Sequence, residues 1–307
     1  MSERITYFPI ESRNTEFSVP QVILNVHKKE IAPFTGNSIL YATSESRTEV
    51  AIKISTNSGS TQREWKGLNM TYGAGLSVPK PYALAKNKDG EKLLISEKIE
   101  GELLYTSNNA RLRIDLGKIT RDMHDKVPVS GTGWSSSGKT DFSYYSELLR
   151  KYLGSPLNEL QSNSETQVIL NKLSDTMLNY CGNAIPVFNH NDIHDGQAIV
   201  KTDNRLKLLD FGNWKEETQL NDVSYYLYHL IKSDRVNKNF DAFLNGYLDS
   251  NDLTDTEKSV MTFYILFIST RAIDYLQNIK SRYLERARET HKKVLRFINS
   301  ERLWKDY

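Results

Sequence analysis

The chain has 307 residues, 40 Lys and Arg against 38 Asp and Glu, and a formal charge of +2, which excludes a general attraction to nucleic acid or to an anionic membrane. With 38% hydrophobic and 25% charged residues its composition is globular, and its length suits one large domain or two smaller ones. The single cysteine, Cys181, excludes an intramolecular disulfide framework and any cysteine-clustered metal site.

The opening MSERITYFPIESR is polar and has no apolar signal-peptide core. The longest apolar stretch, VMTFYILFI at 260–268, is too short to span a bilayer. A cytoplasmic protein is expected.

Strand-like runs come first: VILNV (22–26), SILYAT (38–43), VAIKI (50–54), YALA (82–85) and KLLISE (92–97), the last two joined by a turn containing Asp-Gly. One helix interrupts them at 61–75, with Trp65, Leu68 and Tyr72 on one face and Gly73 and Gly75 as its stop. Beyond Glu100 the pattern turns helical. Leu112, Leu116, Ile119 and Met123 form one stripe, and further helical runs cover 143–153, 166–181, 223–232, 240–248 and a long stretch from about 254 to 297. Within them AIV (198–200) and LKLLD (206–210) form a short hairpin. The expected architecture is a β-rich domain over 1–99 and a helical domain over 100–307.

Residues 190–197 read HNDIHDGQ, and the hairpin then ends in LLDFG at 208–212. An Asp followed five residues later by an amide, with a second Asp ending an apolar strand, is a phosphoryl-transfer pattern. Asp192 is the candidate proton acceptor. Asp210 and Gln197 offer the hard oxygen ligands that Mg²⁺ takes. Lys53, in the third strand run, and Glu64, in the only helix of the first domain, suit an ion pair on nucleotide phosphates. Gly36, Asn37 and Ser38 lie in a tight turn whose N–H groups could face those phosphates. Glu97 and Ile99 fall at the domain boundary, where backbone groups could meet an adenine edge.

These motifs resemble the aminoglycoside phosphotransferase-type kinases, the small-molecule branch of the protein-kinase-like fold. The family's HGDLHPGN is matched at His190, Asp192, His194 and Gly196, its metal Asp at Asp210, and its acidic helix opener at Asp222. Lys53, Glu64, IEGELL (99–104) and LGKITRDMHDK (116–126), which holds His124, follow in family order. Gln197 stands for the family Asn, and Asp195 for its Pro. Asn191 replaces the Arg of protein kinases proper, and the twelve residues from Asp210 to Asp222 leave no room for their activation segment.

The resemblance implies an α+β, bilobal kinase-like fold. It implies transfer of the γ-phosphoryl of ATP, with GTP an open alternative, to a hydroxyl of a small molecule, with Mg²⁺. An aminoglycoside or related antibiotic is the favoured acceptor. The alternatives are a metabolic alcohol, amino alcohol or sugar, or a degenerate nucleotide-binding protein. Amine-binding carboxylates would be Asp195, Asp274, Glu216 or Glu217, although residues 257–307 carry 11 basic and 6 acidic side chains. No nucleic acid, membrane or obligate protein partner is expected. GWSSSGKT (133–140) fits the P-loop pattern, but no strand or parallel βαβ unit surrounds it, so it is read as a Gly/Ser-rich loop.

Overall fold

The computed structural model describes residues 3–13, 15–18, 21–31, 38–55, 58–130, 173, 175–177, 179–248 and 252–300. The chain divides into two compact units, one of residues 1–108 with 195–214, the other of 109–194 with 215–307. A single boundary near Glu100 takes no account of this return of the hairpin to the first unit.

In the first unit, strands β1 (Glu3–Ser12), β2 (Val22–Ile31), β3 (Ser38–Ser44), β4 (Glu49–Ile54), β5 (Pro81–Asn87) and β6 (Lys92–Glu97) pair in the order β1-β2-β3-β4-β6-β5, and β1 also pairs with β5, closing the sheet. Every pairing is antiparallel. Leu24, Ala42, Val50, Ile52, Ala83, Leu93 and Ile95 fill its interior. The sequence reading has no strand at β1. Among the side chains described in that segment, only Tyr7 is a buried hydrophobic one, Phe8 and Ile10 are exposed, and Pro9 stands at a register shift, so the alternation is weak.

Helix α1 (Ser58–Gly73) follows β4. A second small sheet joins β7 (Glu102–Leu103), β9 (Ala198–Val200) and β10 (Leu206–Leu208) in the order β10-β9-β7. Gly101 makes the approach to β9 possible. Its φ is 153°, and a Cβ there would stand 2.1 Å from the Val200 carbonyl oxygen.

In the second unit, α2 (Ala110–Lys126) starts at Asn109, whose side chain accepts the Arg111 N–H. It packs on α4 (Asn237–Tyr247). Strands β8 (Val187–Asn189) and β11 (Lys215–Glu217) pair, and α3 (Gln219–Lys232) packs against α5 (Asp255–Asn278) and α6 (Leu284–Asn299). A Thr254–Glu257 capping box opens α5. The long helical stretch expected over 254–297 is two helices, because α5 ends at Asn278 and Lys280 turns left-handed at φ 49°. Among the described residues no helix is long and apolar enough to cross a membrane. The stretches expected to be helical at 143–153 and over most of 166–181, and the P-loop-like 133–140, lie outside the described residues.

Candidate active site

The first unit brings Lys53, Glu64 and Asp210 together. Val50 and Ile52 of β4 point into the sheet interior, so the pleat turns Lys53 to the opposite face. Its Nζ lies 2.8 Å from Glu64 Oε2 and 2.7 Å from Asp210 Oδ1. Burial opposes the charge on Lys53, but Glu64 and Asp210 outweigh it and hold the ammonium well above the usual lysine range. Burial pushes the Glu64 carboxyl up to about 7, against the pull of Lys53.

Asp210 stands in the left-handed region, at φ 60°, just past β10. The turn after it is tied to α1. Trp214 Nε1 donates to the Arg63 carbonyl at 2.7 Å, and Gly67 leaves room for that indole, since a Cβ there would come within 2.5 Å of Trp214 Cδ1. Gly212 lies against the ion-pair cluster, a built Cβ falling 3.3 Å from Asp210 Oδ1. The Leu209 N–H donates to the Gln197 carbonyl at 2.8 Å, which sets Gln197 beside the strand end that carries Asp210. Asp210, 35% exposed, offers a carboxylate oxygen of the kind a hard divalent cation takes.

Glu97 ends β6, and its N–H donates to the Lys80 carbonyl at 2.8 Å. That N–H is thus engaged within the first unit. Ser38 opens β3, whereas Gly36 and Asn37 lie outside the described residues.

In the second unit, Asp222 in the first turn of α3 organises the loop after β8. Its carboxylate accepts the N–H of His190 at 2.8 Å and of Asn191 at 2.7 Å, and lies 3.2 Å from His124 Nε2. His124 Nδ1 in turn lies 3.0 Å from the Tyr247 hydroxyl. All four side chains, Asp222, His190, His124 and Tyr247, are buried.

Asp192 lies beyond this clamp, 28% exposed, with His229 Nε2 3.4 Å and His194 Nε2 4.0 Å from its Oδ1. The two imidazoles stack with centroids 4.2 Å apart. Burial raises the Asp192 carboxyl, but the hydrogen bond and charge of His229, with His194 and His190, bring it down to about 2. Burial, with His229, lowers His194 to about 3. The carboxylate thus stays ionised at neutral pH. Among the described residues, Asp192, His194 and His229 form the only group of three that could hold a metal ion.

His229 is absent from the sequence expectations. Its signal is positional: Asp222, Tyr225, His229 and Lys232 recur along one face of α3. Of the four carboxylates expected to hold amines, three are buried, and Asp274 is half-buried with its Oδ1 accepting from Asn278 Nδ2 at 3.3 Å. Glu216 accepts both the N–H and the hydroxyl of Ser130, Glu217 pairs with Lys215 at 2.9 Å, and both are buried, as is Asp195.

The model of the "phosphotransferase enzyme family" matches residues 53–259, about two thirds of the chain. No curated protein sequence matches. Among solved structures, an amicoumacin kinase in complex with AMP-PNP, Ca²⁺ and Ami is similar at 17% identity, 87% of each chain and a TM-score of 0.59. A spectinomycin phosphotransferase in complex with ADP and spectinomycin is similar at 16% identity, 88% of this chain, 89% of the other, and 0.57. The ethanolamine kinase of Plasmodium vivax is similar at 14% identity, 87% of this chain, 81% of the other, and 0.59. At such identities these likenesses establish a shared kinase-like fold. The match begins at Lys53 and takes in Glu64, Asp192, Asp210 and Asp222, and by it this chain belongs to the phosphotransferase enzyme family.

Proposed function

We propose that the protein moves the γ-phosphoryl group of ATP, or of GTP, to a hydroxyl of a small molecule. The observation that carries this reading is the Lys53 ammonium held between Glu64 and Asp210, an arrangement suited to nucleotide phosphates. In a bilobal reading, residues 1–99 bind the nucleotide and residues 100–307 carry catalysis and acceptor binding. Lys53 anchors phosphates, Glu64 orients Lys53, and the turn at Gly36, Asn37 and Ser38 with the segment from Glu97 to Ile99 completes the nucleotide site. Asp210 and Gln197 would hold Mg²⁺. When bound, that ion neutralises charge on the transferring phosphates.

Asp192 orients the acceptor hydroxyl and takes its proton as the oxygen attacks phosphorus. A carboxylate already ionised near neutrality needs no activation for this. The protein forms no covalent bond, so catalysis is positioning together with charge neutralisation.

A polycationic aminoglycoside calls for free carboxylates. Burial and internal bonding of Glu216, Glu217 and Asp195 favour the second reading, a metabolic kinase acting on a hydroxylated small molecule. The experiment is nucleoside diphosphate release from MgATP and MgGTP over aminoglycosides, other hydroxylated antibiotics, amino alcohols, sugars and hydroxy acids, with Asp192→Ala in parallel. Acceptor-dependent release that falls by at least a hundredfold in the variant is expected. Equal release by both proteins would refute the role of Asp192.

A further inference from the structure

His229 follows Asp222 by seven residues, two turns along α3, so both side chains stand on one face of that helix. Asp222 holds the backbone of His190 and Asn191, and the same loop runs on into Asp192 and His194. The clamp thereby lays the loop against the face that carries His229. Asp192 Oδ1 lies 3.4 Å from His229 Nε2 and 4.0 Å from His194 Nε2. One ligand atom from each of the three residues falls within 4.8 Å of the other two. All three side chains are half-buried, so an ion from solvent can reach them.

Two imidazole nitrogens and one carboxylate oxygen suit a borderline dication such as Zn²⁺, whereas Mg²⁺ takes oxygen ligands. Ligand atoms bound at about 2.0–2.1 Å to a tetrahedral ion stand about 3.3 Å apart. The Asp192–His229 separation already fits, and the Asp192–His194 separation closes with a turn of one stacked ring. The other four histidines offer no such set among the described residues. His124, His190 and His291 are buried, and His27 is exposed, with one carboxylate, Glu49, at 3.6 Å.

We propose that Asp192, His194 and His229 form a site for a transition-metal dication of the zinc type, and that the bound ion stops turnover. A carboxylate oxygen that gives its lone pair to the metal no longer accepts the proton of an acceptor hydroxyl. Three protein ligands leave a fourth tetrahedral position for water. The inhibition rests on the proposed reading of Asp192 as the base; the metal site itself does not.

The binding test is calorimetric titration of the full-length, tag-free protein with zinc sulfate, without nucleotide. One ion per chain is expected, undisturbed by millimolar Mg²⁺. Affinity should fall at least tenfold in His194→Asn and in His229→Gln, and stay unchanged in His27→Ala. Co²⁺ reports the ligands directly, with visible absorption bands that appear in the wild type and are lost in His229→Gln. Both site variants keep polar side chains at half-buried positions, and either one that folds carries the test alone. No zinc binding, equal affinity in the wild type and the two site variants, or displacement by Mg²⁺ overturns the site. Turnover is measured separately, as nucleoside diphosphate release in excess MgATP. Zinc should reduce it to the level of Asp192→Asn, and His194→Asn should need at least tenfold more zinc for the same loss. Undiminished turnover by the zinc-bound protein would refute Asp192 as the base, and with it the inhibition, while the titration alone decides the site.

Discussion

Asn191 stands at φ 62°, and its backbone N–H donates to the Asp222 carboxylate at 2.7 Å. A left-handed backbone is uncommon outside glycine, and asparagine is among the residues that tolerate it best. The bond from Asp222, thirty-one residues later in the chain, fixes this turn and with it the direction in which Asp192 leaves the loop.

Removing that acceptor should therefore cost both stability and turnover. Asp222→Ala leaves the N–H groups of His190 and Asn191 buried without their acceptor, a loss of roughly 1.5–3 kcal/mol for each bond to a charged group. Melting should shift down by several degrees, and kcat should fall at least tenfold with little change in the KM for nucleotide. An unchanged melting point together with an unchanged kcat would show that the loop holds itself.

Lys53 behaves differently on removal. Lys53→Ala leaves Glu64 and Asp210 without the cation between them. Nucleotide use should suffer first, with KM for ATP rising tenfold or more. Glu64→Gln keeps the shape and one acceptor oxygen, so its effect should be smaller. Steady-state kinetics on both variants decide this, and wild-type ATP kinetics for Lys53→Ala would remove Lys53 from the phosphate site.

The packing of α2 on α4 depends on two glycines. A Cβ on Gly117 would lie 2.1 Å from the Phe243 carbonyl oxygen, and one on Gly246 would lie 1.9 Å from that of Ile114. Both contacts are with backbone, which cannot move aside like a side chain. Gly117→Ala and Gly246→Ala should each destabilise the protein by about 1–3 kcal/mol or more, despite alanine's better helix propensity. Chemical denaturation would measure it, and stabilisation by either change would show that the helices can separate freely.

Stability should also fall on acidification. Burial lowers His291, whose ring lies 2.9 Å from the Ser269 hydroxyl, from 6.5 to about 4, and His194 is lowered to about 3. Because the folded pKa values lie below the unfolded one, the unfolded chain takes up protons first as pH drops. The stability linked to these neutral rings is complete above about 6.5 and is lost toward about 4 for His291 and about 3 for His194. Each ring contributes at most about 1.4 kcal/mol per pH unit in that window. Melting temperatures from pH 7 to 4 should decline, and less steeply in His194→Asn, whose side chain has no such proton to gain. Parallel curves for the two proteins would contradict the assignment of His194.

Much of this was legible in the linear chain. Lys53 sits between apolar residues of a strand, and the strand's alternation alone separates it from the interior. The order of Lys53, Glu64, Asp192, Asp210 and Asp222 carries a phosphotransferase pattern in residue type and spacing, because phosphate and cation chemistry restricts which side chains can serve. The short hairpin at 198–208 and the helix before His124 are likewise local patterns of alternation and period.

Contacts between distant segments were not legible. The strand at β1 forms because β2 and β5 offer it backbone partners on both sides, although its own hydrophobic pattern is weak. Glu216 and Glu217 are acidic letters in the sequence, and only the strand pairing with β8 buries them and engages them with Ser130 and Lys215. His229 gains significance from a helical turn that brings it against a loop thirty-seven residues earlier. The sequence thus determined the chemistry, because chemistry depends on residue type at short spacing. The tertiary structure decided which charges remain available and which are spent on the fold, because burial and partnership exist only once remote segments meet.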